Sequence, residues 1–332
     1  MPHVLSRGLR PRTLSGLYGQ QKLAASIREH MKTRPPQAWL FHGGTGTGKT
    51  TVARILAVSF QCTHQQLWGD PCKACWAARN SFAIHEINAS EASGVEEMGK
   101  VASMSRVRPI DSPKRVFILD EFQRATSAAQ NLLLKPMEEP PPTTIWIVCT
   151  TDPQKILATL RRRCTTYQLK SLGFDGSEKF LKRSADLAKI TKPLTPLYEQ
   201  IHLAGIFSPA LLLQALEKFA AGSTAEEAVS GADGSGTNSL AICKAVTSGD
   251  WRTLKTSLMA ANPEETRWLR ASVSGWIRGV MNREANPKIL DVCATSLIEL
   301  ADNPIDDATM LYWLWGTLYR VCKRFQAHQA QH

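Results

Sequence analysis

Long apolar runs are missing from this chain of 332 residues: none approaches the roughly 20 residues that span a bilayer, and no charged-then-apolar leader opens it. Both absences point to a soluble protein, with the cytoplasm as its expected site of action. Acidic residues are also in short supply. Asp and Glu number 29 against 40 Lys and Arg, a formal net charge of +11, which favours partners that carry phosphates. Internal repeats and low-complexity tracts are absent too, which sets aside repeat arrays. The eight cysteines, partly in a CxxC, do not read as a secreted disulfide framework; they argue for reduced thiols or a metal. What is present in quantity is apolar: 43% of residues, enough for two or three packed domains.

The most specific local signal is Gly43-Gly44-Thr45-Gly46-Thr47-Gly48-Lys49-Thr50, a full match to GxxxxGK followed by Ser or Thr. It lies between an apolar run, Ala38-Trp39-Leu40-Phe41, and a helix-like stretch, Val52 to Ala57, and Thr51 is counted with the loop among the expected nucleotide-binding residues. That strand–loop–helix setting is what a triphosphate requires. Glycines let successive backbone N–H groups curl around the phosphates, and the helix start adds its positive dipole end. Lys49 is expected on the β and γ phosphates and the Thr50 hydroxyl on Mg²⁺. Downstream, the buried-strand run Arg115-Val116-Phe117-Ile118-Leu119 ends in Asp120-Glu121. In such ATPases the Asp holds the magnesium shell and the Glu orients and polarises the attacking water.

Further along, Ala83–Asn88, the run before Asp120, Thr144–Cys149 and Thr165–Leu169 read as strands. Val95–Ser105 and Ser127–Met137 read as helices, the second closed by Pro140-Pro141-Pro142. Strands alternating with helices give a parallel sheet covered on both faces. From Asp175 the pattern is helical. Residues 223–239, rich in Gly, Ser, Ala and Thr, read as a linker, and a helical stretch with Trp251, Trp268, Trp276, Trp313 and Trp315 follows. Those tryptophans read as packing or oligomer surface.

Several motifs together resemble the clamp-loader ATPases of the AAA+ class, with the tau/gamma subunit of bacterial DNA polymerase III and the small subunits of replication factor C as the nearest members. Arg7-Gly8-Leu9-Arg10-Pro11 with Gly16-Leu17-Tyr18-Gly19-Gln20 looks like that family's RKWRP…VGQ segment. Asn131 to Pro141 is similar to NALLKxLEEPP, Thr150-Thr151-Asp152-Pro153-Gln154-Lys155 matches TTDPQK, and Arg162-Arg163-Cys164 falls at the SRC motif. The resemblance is dense over the first 170 residues and fades beyond. It implies an α/β AAA+ nucleoside triphosphatase domain (1–172) with a zinc-module insert at 61–80, a helical lid (173–222), the linker (223–239) and an all-α collar-type oligomerisation domain (240–332). It also implies that Arg10, Pro11 and Tyr18 wrap the adenine, that Thr151 senses the γ-phosphate, and that Arg163 is an arginine finger acting on the ATP of an adjacent subunit. The plainer reading of Arg161–Arg163 is a solvated basic turn.

Two departures from the family pattern stand out. The family's lid arginine, in G-S-x-R-D-A-L, is replaced by Ala210 in Phe207-Ser208-Pro209-Ala210-Leu211-Leu212-Leu213. The four-cysteine zinc module keeps Cys62, Cys72 and Cys75, but Ala78 stands in the fourth place. His64 is the nearest residue to complete the set, Asp70 a weaker one, and a decayed module without metal is the other outcome. The resemblance makes the expected function ATP-driven loading of a sliding clamp on primer–template DNA, within a homo- or hetero-pentameric ring. Lys100, Arg106 and Arg108 are expected either to line the DNA channel or to be a solvated helix face. The rival readings are an AAA+ DNA-unwinding or branch-migration motor and a nucleotide-binding scaffold subunit. Ending at His332, the chain is expected to be a minimal loader subunit of a compact replication system, such as that of a bacterial virus.

Overall fold

The computed structural model describes residues 5–33, 35–78, 83–91, 94–110, 112–204, 206–229, 239–259, 266–301 and 307–329. The chain divides into two compact units, Met1–Leu172 with Ser208–Ala210, and Gly173–Phe207 with Leu211–His332. In the first, α1 (Leu5–Gly8) and α2 (Gln21–Thr33) precede β1 (Ala38–His42) and α3 (Lys49–Gln61), followed by α4 (Lys73–Ala77), β2 (Ile84–Asn88), α5 (Val95–Met104) and β3 (Arg115–Asp120). Then come α6 (Ser127–Leu132), α7 (Leu134–Glu138), β4 (Thr144–Thr150), α8 (Ala158–Arg161) and β5 (Thr165–Gln168).

The five strands form one parallel sheet in the order β2-β3-β4-β1-β5. Successive side chains of one strand point to opposite faces, and here both faces are packed. Trp39, Phe41, Val116, Ile118, Ile145 and Ile147 lie with Val52, Ile55 and Leu56 of α3. On the other face Leu40, Phe117, Leu119, Trp146 and Val148 lie with Met98 and Val101 of α5 and with Ala129 and Leu133. Two buried faces explain why β1, β3 and β4 read as unbroken apolar runs. Each fully buried Ile or Val of these strands contributes about 1.5–3 kcal/mol. Because the strands run parallel, the loops leaving β1, β4 and β3, which are neighbours in the sheet, all open at its carboxyl end, where ligands of open α/β sheets bind.

The helix expected over Ser127–Met137 is two helices. It breaks at Leu133 (φ −88°, ψ −9°). Pro136 explains the break: it has no N–H to give the Leu132 carbonyl, but it is tolerated in the first turn of a new helix, whose N–H groups have no intrahelical acceptor.

The second unit is helical throughout its described residues: α9 (Phe174–Leu187), α10 (Thr195–Ala204), α11 (Pro209–Ala220), α12 (Ala225–Val229), α13 (Ser239–Thr247), α14 (Trp251–Met259), α15 (Thr266–Arg283), α16 (Pro287–Ala301) and α17 (Asp307–Gln329). The α10 helix packs on α12, α13 and α15. The segment read as a linker is partly folded, since α12 occupies its first part; residues 230–238 lie outside the described residues. A reciprocal cap starts α12. The Glu227 N–H donates to Thr224 Oγ1 (3.2 Å) and the Thr224 N–H to Glu227 Oε2 (2.9 Å), a pattern that a Gly/Ser-rich composition conceals. Trp251, Trp276 and Trp315 pack on this unit's core, as read; the side chains of Trp268 and Trp313 lie outside the described residues. Among the described residues no helix is long and apolar enough to cross a membrane.

Candidate nucleotide site

The loop from Gly43 to Gly48 leaves β1 and enters α3 at Lys49. Glycine is required at its start: Gly43 has φ +147°, and a Cβ there would fall 2.2 Å from the Leu169 carbonyl oxygen. Gly46 (φ +75°) is equally confined, because a Cβ would lie 2.9 Å from Ser208 Oγ and 3.0 Å from Ala210 Cβ. The Ala210 N–H donates to the Gly46 carbonyl (3.2 Å), so Ala210 lies on the Gly43–Gly48 loop itself, as a methyl group.

Lys49 is 5% exposed, and its Nζ donates to the carbonyls of Gly43 and Gly44, both at 3.0 Å. Burial pushes its ammonium below the usual lysine range, while the Glu121 carboxylate, foremost among its neighbours, pulls it back up. Thr47 Oγ1 donates to the Gly44 carbonyl (2.8 Å) and braces the loop. Gly44 and Thr45 are exposed at its crest, and Thr51 is the third residue of α3.

Across the sheet edge, Thr50 Oγ1 donates to Asp120 Oδ2 at 2.8 Å. The two residues expected at magnesium are thus adjacent, and a hydroxyl with a carboxylate is the hard oxygen pair that such an ion takes. Burial lifts the Asp120 carboxyl above its ordinary range, although the Thr50 hydroxyl and the Glu121 N–H (3.0 Å to Oδ1) favour its ionised form. Glu121 follows at φ +49°, a left-handed backbone unusual for a non-glycine residue and of the kind that concentrates at functional sites. That bend turns a 3₁₀ turn, Phe122–Arg124, back over the sheet edge and brings Gln123 onto the end of β4. Gln123 Oε1 accepts from Thr150 Oγ1 (2.9 Å) and from the Thr151 N–H (3.2 Å), and its Nε2 donates to Glu121 Oε2. Thr150 is buried and Thr151 half-buried at the tip of the strand.

Arg10 is exposed. Burial of its head group and then the nearby Arg54 lower its pKa, while Glu86 and Asp120 oppose them. Pro11 and Tyr18 are half-buried. Their segment is pinned by Leu14 N–H to the Gly69 carbonyl (2.9 Å) and by Gln20 Nε2 to the Lys170 carbonyl (2.6 Å). Sequence reasoning missed Arg54, one helical turn beyond Thr50, which forms a two-pronged ion pair with Glu86 of β2 (2.8 Å from Nε, 2.5 Å from Nη2). It also missed Gln130, 1% exposed, whose carboxamide joins α6 to the Lys155 carbonyl (3.0 Å) and the Leu157 N–H (2.9 Å). Nothing in the local sequence marks either one.

Arg163 follows α8. Its guanidinium donates to the Thr159 carbonyl (2.7 Å) and pairs with Glu138 Oε1 (2.7 Å). Lys100 is exposed on α5 and paired with Glu96 (2.9 Å) and Glu97 (3.8 Å), while Arg106 and Arg108 are exposed beyond that helix.

A second cluster lies at the far end of α3. The ligand atoms of Cys62, His64, Cys72 and Cys75 all fall within 4.8 Å of one another. The Cys75 N–H donates to Cys72 Sγ (3.4 Å) and the Cys72 N–H to Cys62 Sγ (3.5 Å), while Cys75 Sγ is 3.9 Å from His64 Nδ1. Ala78 only caps α4. Asp70, the weaker ligand expectation, is engaged elsewhere: it accepts from the Ser15 N–H (3.0 Å) and pairs with Arg28 (3.2 Å).

Residues 19–173 match the family model described as DNA polymerase III, delta subunit. The chain is 34% identical over 179 residues to DNA polymerase III subunit gamma of Buchnera aphidicola, covering 52% of this chain and 48% of that one. It is 33% identical over 227 residues to subunit gamma/tau of Mycobacterium tuberculosis, covering 66% of this chain and 39% of the relative. With subunit tau of Bacillus subtilis it shares 32% identity over 175 residues, 51% of this chain and 31% of the other. The chain therefore spans half or less of the length of these curated relatives. Among solved structures, the Thermotoga maritima RuvB Holliday junction branch migration motor aligns at a TM-score of 0.47 and 17% identity, over 80% of this chain and 85% of that one.

Proposed function

We propose that the protein is an ATP-driven clamp-loader subunit that opens a sliding clamp and loads it on primer–template DNA, a reading supported by the match of residues 19–173 to a DNA polymerase III family model and by the gamma and tau relatives. The observation that carries the catalytic part is the 2.8 Å hydrogen bond between Thr50 and Asp120, which joins the phosphate loop after β1 to the acidic pair after β3. The loop N–H groups and Lys49 hold the triphosphate. Magnesium held by Thr50 and Asp120 would neutralise charge on the β and γ phosphates. Glu121, one residue on, orients the attacking water, and Thr151 reports the γ-phosphate to β4. Arg10, Pro11 and Tyr18 contact the base. Residues 173–222 act as lid and 240–332 as collar, with Ala210 leaving the lid no guanidinium to place on the phosphates.

Glu121→Gln tests the catalytic assignment. ATP binding is expected to persist while turnover falls by about 10²–10⁴-fold, the range expected when a general base is removed. A variant that hydrolyses ATP at the wild-type rate would take Glu121 out of the reaction.

The cysteine–histidine cluster fits a structural zinc ion held by Cys62, His64, Cys72 and Cys75, because four soft and borderline donors converge and the thiol sulfurs accept backbone N–H groups. The ion would tie the end of α3 to α4. Purified protein is expected to carry about one zinc per chain, and a strong chelator to lower the melting temperature by about 5 °C or more. A metal-free preparation with an unchanged melting temperature would show a decayed module.

The DNA channel is proposed to use Arg106 and Arg108. Lys100, already paired with Glu96, is the weaker contributor. Replacing either arginine with alanine should weaken DNA binding and flatten its salt dependence by a slope of about one, since one phosphate fewer is neutralised.

A further inference from the structure

Gln123 is another side chain of the nucleotide site that the sequence gives no reason to notice, yet it bonds to Glu121, Thr150 and Thr151 at once. Its backbone position is set by Glu121, whose left-handed conformation (φ 49°, ψ 37°) folds the chain back at the end of β3, and by Phe122, fully buried beneath it. From there the carboxamide uses both ends. The oxygen takes the Thr150 hydroxyl and the Thr151 N–H, and the nitrogen donates to the Glu121 carboxylate. Thr150 is held in turn, since its one hydroxyl proton is shared between Gln123 Oε1 and the Asp152 carbonyl (2.9 Å), and its oxygen accepts from the Asp152 N–H (3.1 Å).

We propose that Gln123 is a positioning residue for ATP hydrolysis, holding the Glu121 carboxylate against the end of β4 so that the water-activating group and the γ-phosphate-sensing strand tip move together. The inference rests on the ATPase reading above, but not on the clamp or on DNA. Its physical basis is geometric. A carboxylate on a flexible two-carbon stem orients water well only when held, and an ångström of misplacement costs on the order of 10²-fold. One carboxamide ties it to Thr150 and Thr151 on the neighbouring strand, so a shift of the β4 tip on meeting a γ-phosphate is passed to the base over a single side chain.

The test is a double-mutant cycle on ATP turnover measured without clamp or DNA. Gln123→Met keeps the side-chain length and removes all three hydrogen bonds. Gln123→Glu keeps an acceptor for Thr150 and Thr151 but sets a second carboxylate against Glu121. Gln123→Met is expected to lower kcat by about tenfold or more, with affinity for a non-hydrolysable ATP analogue within about twofold of wild type, and Gln123→Glu to fall further. In a Glu121→Gln background, Gln123→Met should change the residual turnover by less than about twofold, because both changes remove one function. Melting temperatures verify that each variant is folded, and Gln123→Glu carries the same cycle if Gln123→Met is not. Full activity in Gln123→Met, a deficit carried by nucleotide affinity, or an equal deficit in both backgrounds would overturn the proposal. A wild type that turns over ATP but ignores clamp and junction DNA would remove the loader reading and leave this comparison intact.

Discussion

Arg163→Ala is expected to cut ATP turnover of the assembled ring by about 10³-fold or more while leaving nucleotide affinity nearly unchanged. The asymmetry follows from where the residue stands. Arg163 lies beyond α8, and its cation is held by Glu138 and the Thr159 carbonyl; neither belongs to the Gly43–Gly48 loop, the proposed phosphate cradle. Under the proposed ring it meets the nucleotide of the next subunit, where it stabilises charge that develops only during phosphoryl transfer. The Glu138 pair is no obstacle to this. Glu138 is exposed, and an ion pair of that kind contributes about 0–1 kcal/mol, little enough to exchange for a phosphate oxygen. Mixing Arg163→Ala with Glu121→Gln subunits adds a check, since a finger acting in trans lets a mixed ring regain turnover at those interfaces that join an intact finger to an intact base. Equal hydrolysis by variant and wild-type assemblies would rule out the inter-subunit site.

Lys49→Ala is expected to lose MgATP binding, and turnover with it. In the free protein the Lys49 ammonium is almost wholly buried and satisfied only by two loop carbonyls, Gly43 and Gly44, with burial acting against its charge. Phosphate oxygens are far better partners for such a cation. Truncating one member of a buried, hydrogen-bonded charge pair costs about 2–5 kcal/mol, which is roughly 30-fold to several thousand-fold in affinity. The nucleotide-free protein should be little affected, because the lysine it loses was held at a desolvation cost. Titration calorimetry together with a melting curve separates the two: affinity collapses while the melting temperature without nucleotide holds. Retained affinity would place the triphosphate elsewhere.

The parts of this site visible in the sequence are those made by neighbours in the chain. Gly43 to Thr50 is a contiguous loop whose composition is dictated by backbone conformation, and Asp120-Glu121 follows an apolar run that only a doubly covered strand requires. The cysteine–histidine cluster was legible for the same reason: Cys62 and His64 are close in sequence, as are Cys72 and Cys75. Asp70 sits beside that cluster in the chain, yet it is committed to Ser15 and Arg28, partners more than 40 residues away that no local pattern reveals. Gln123, Gln130 and Arg54 escaped notice because each acts through partners fixed by the strand order. Until β4 is known to lie beside β3, a glutamine two residues past Glu121 has no reason to meet Thr150. The helix break at Leu133 was hidden by three consecutive leucines, whose periodicity suits one helix as well as two. The helix at Ala225–Val229 was hidden by its flanks, where small residues outvoted the capping pair Thr224 and Glu227.

Steady-state ATP hydrolysis under four conditions tests the central claim most directly: protein alone, with primer–template DNA, with the sliding clamp of the same replication system, and with both. The account predicts strong synergy, with clamp and junction DNA together raising turnover well beyond the sum of their separate effects. Stimulation by DNA alone, indifferent to the clamp and accompanied by strand separation, would contradict it and identify a DNA-unwinding motor instead.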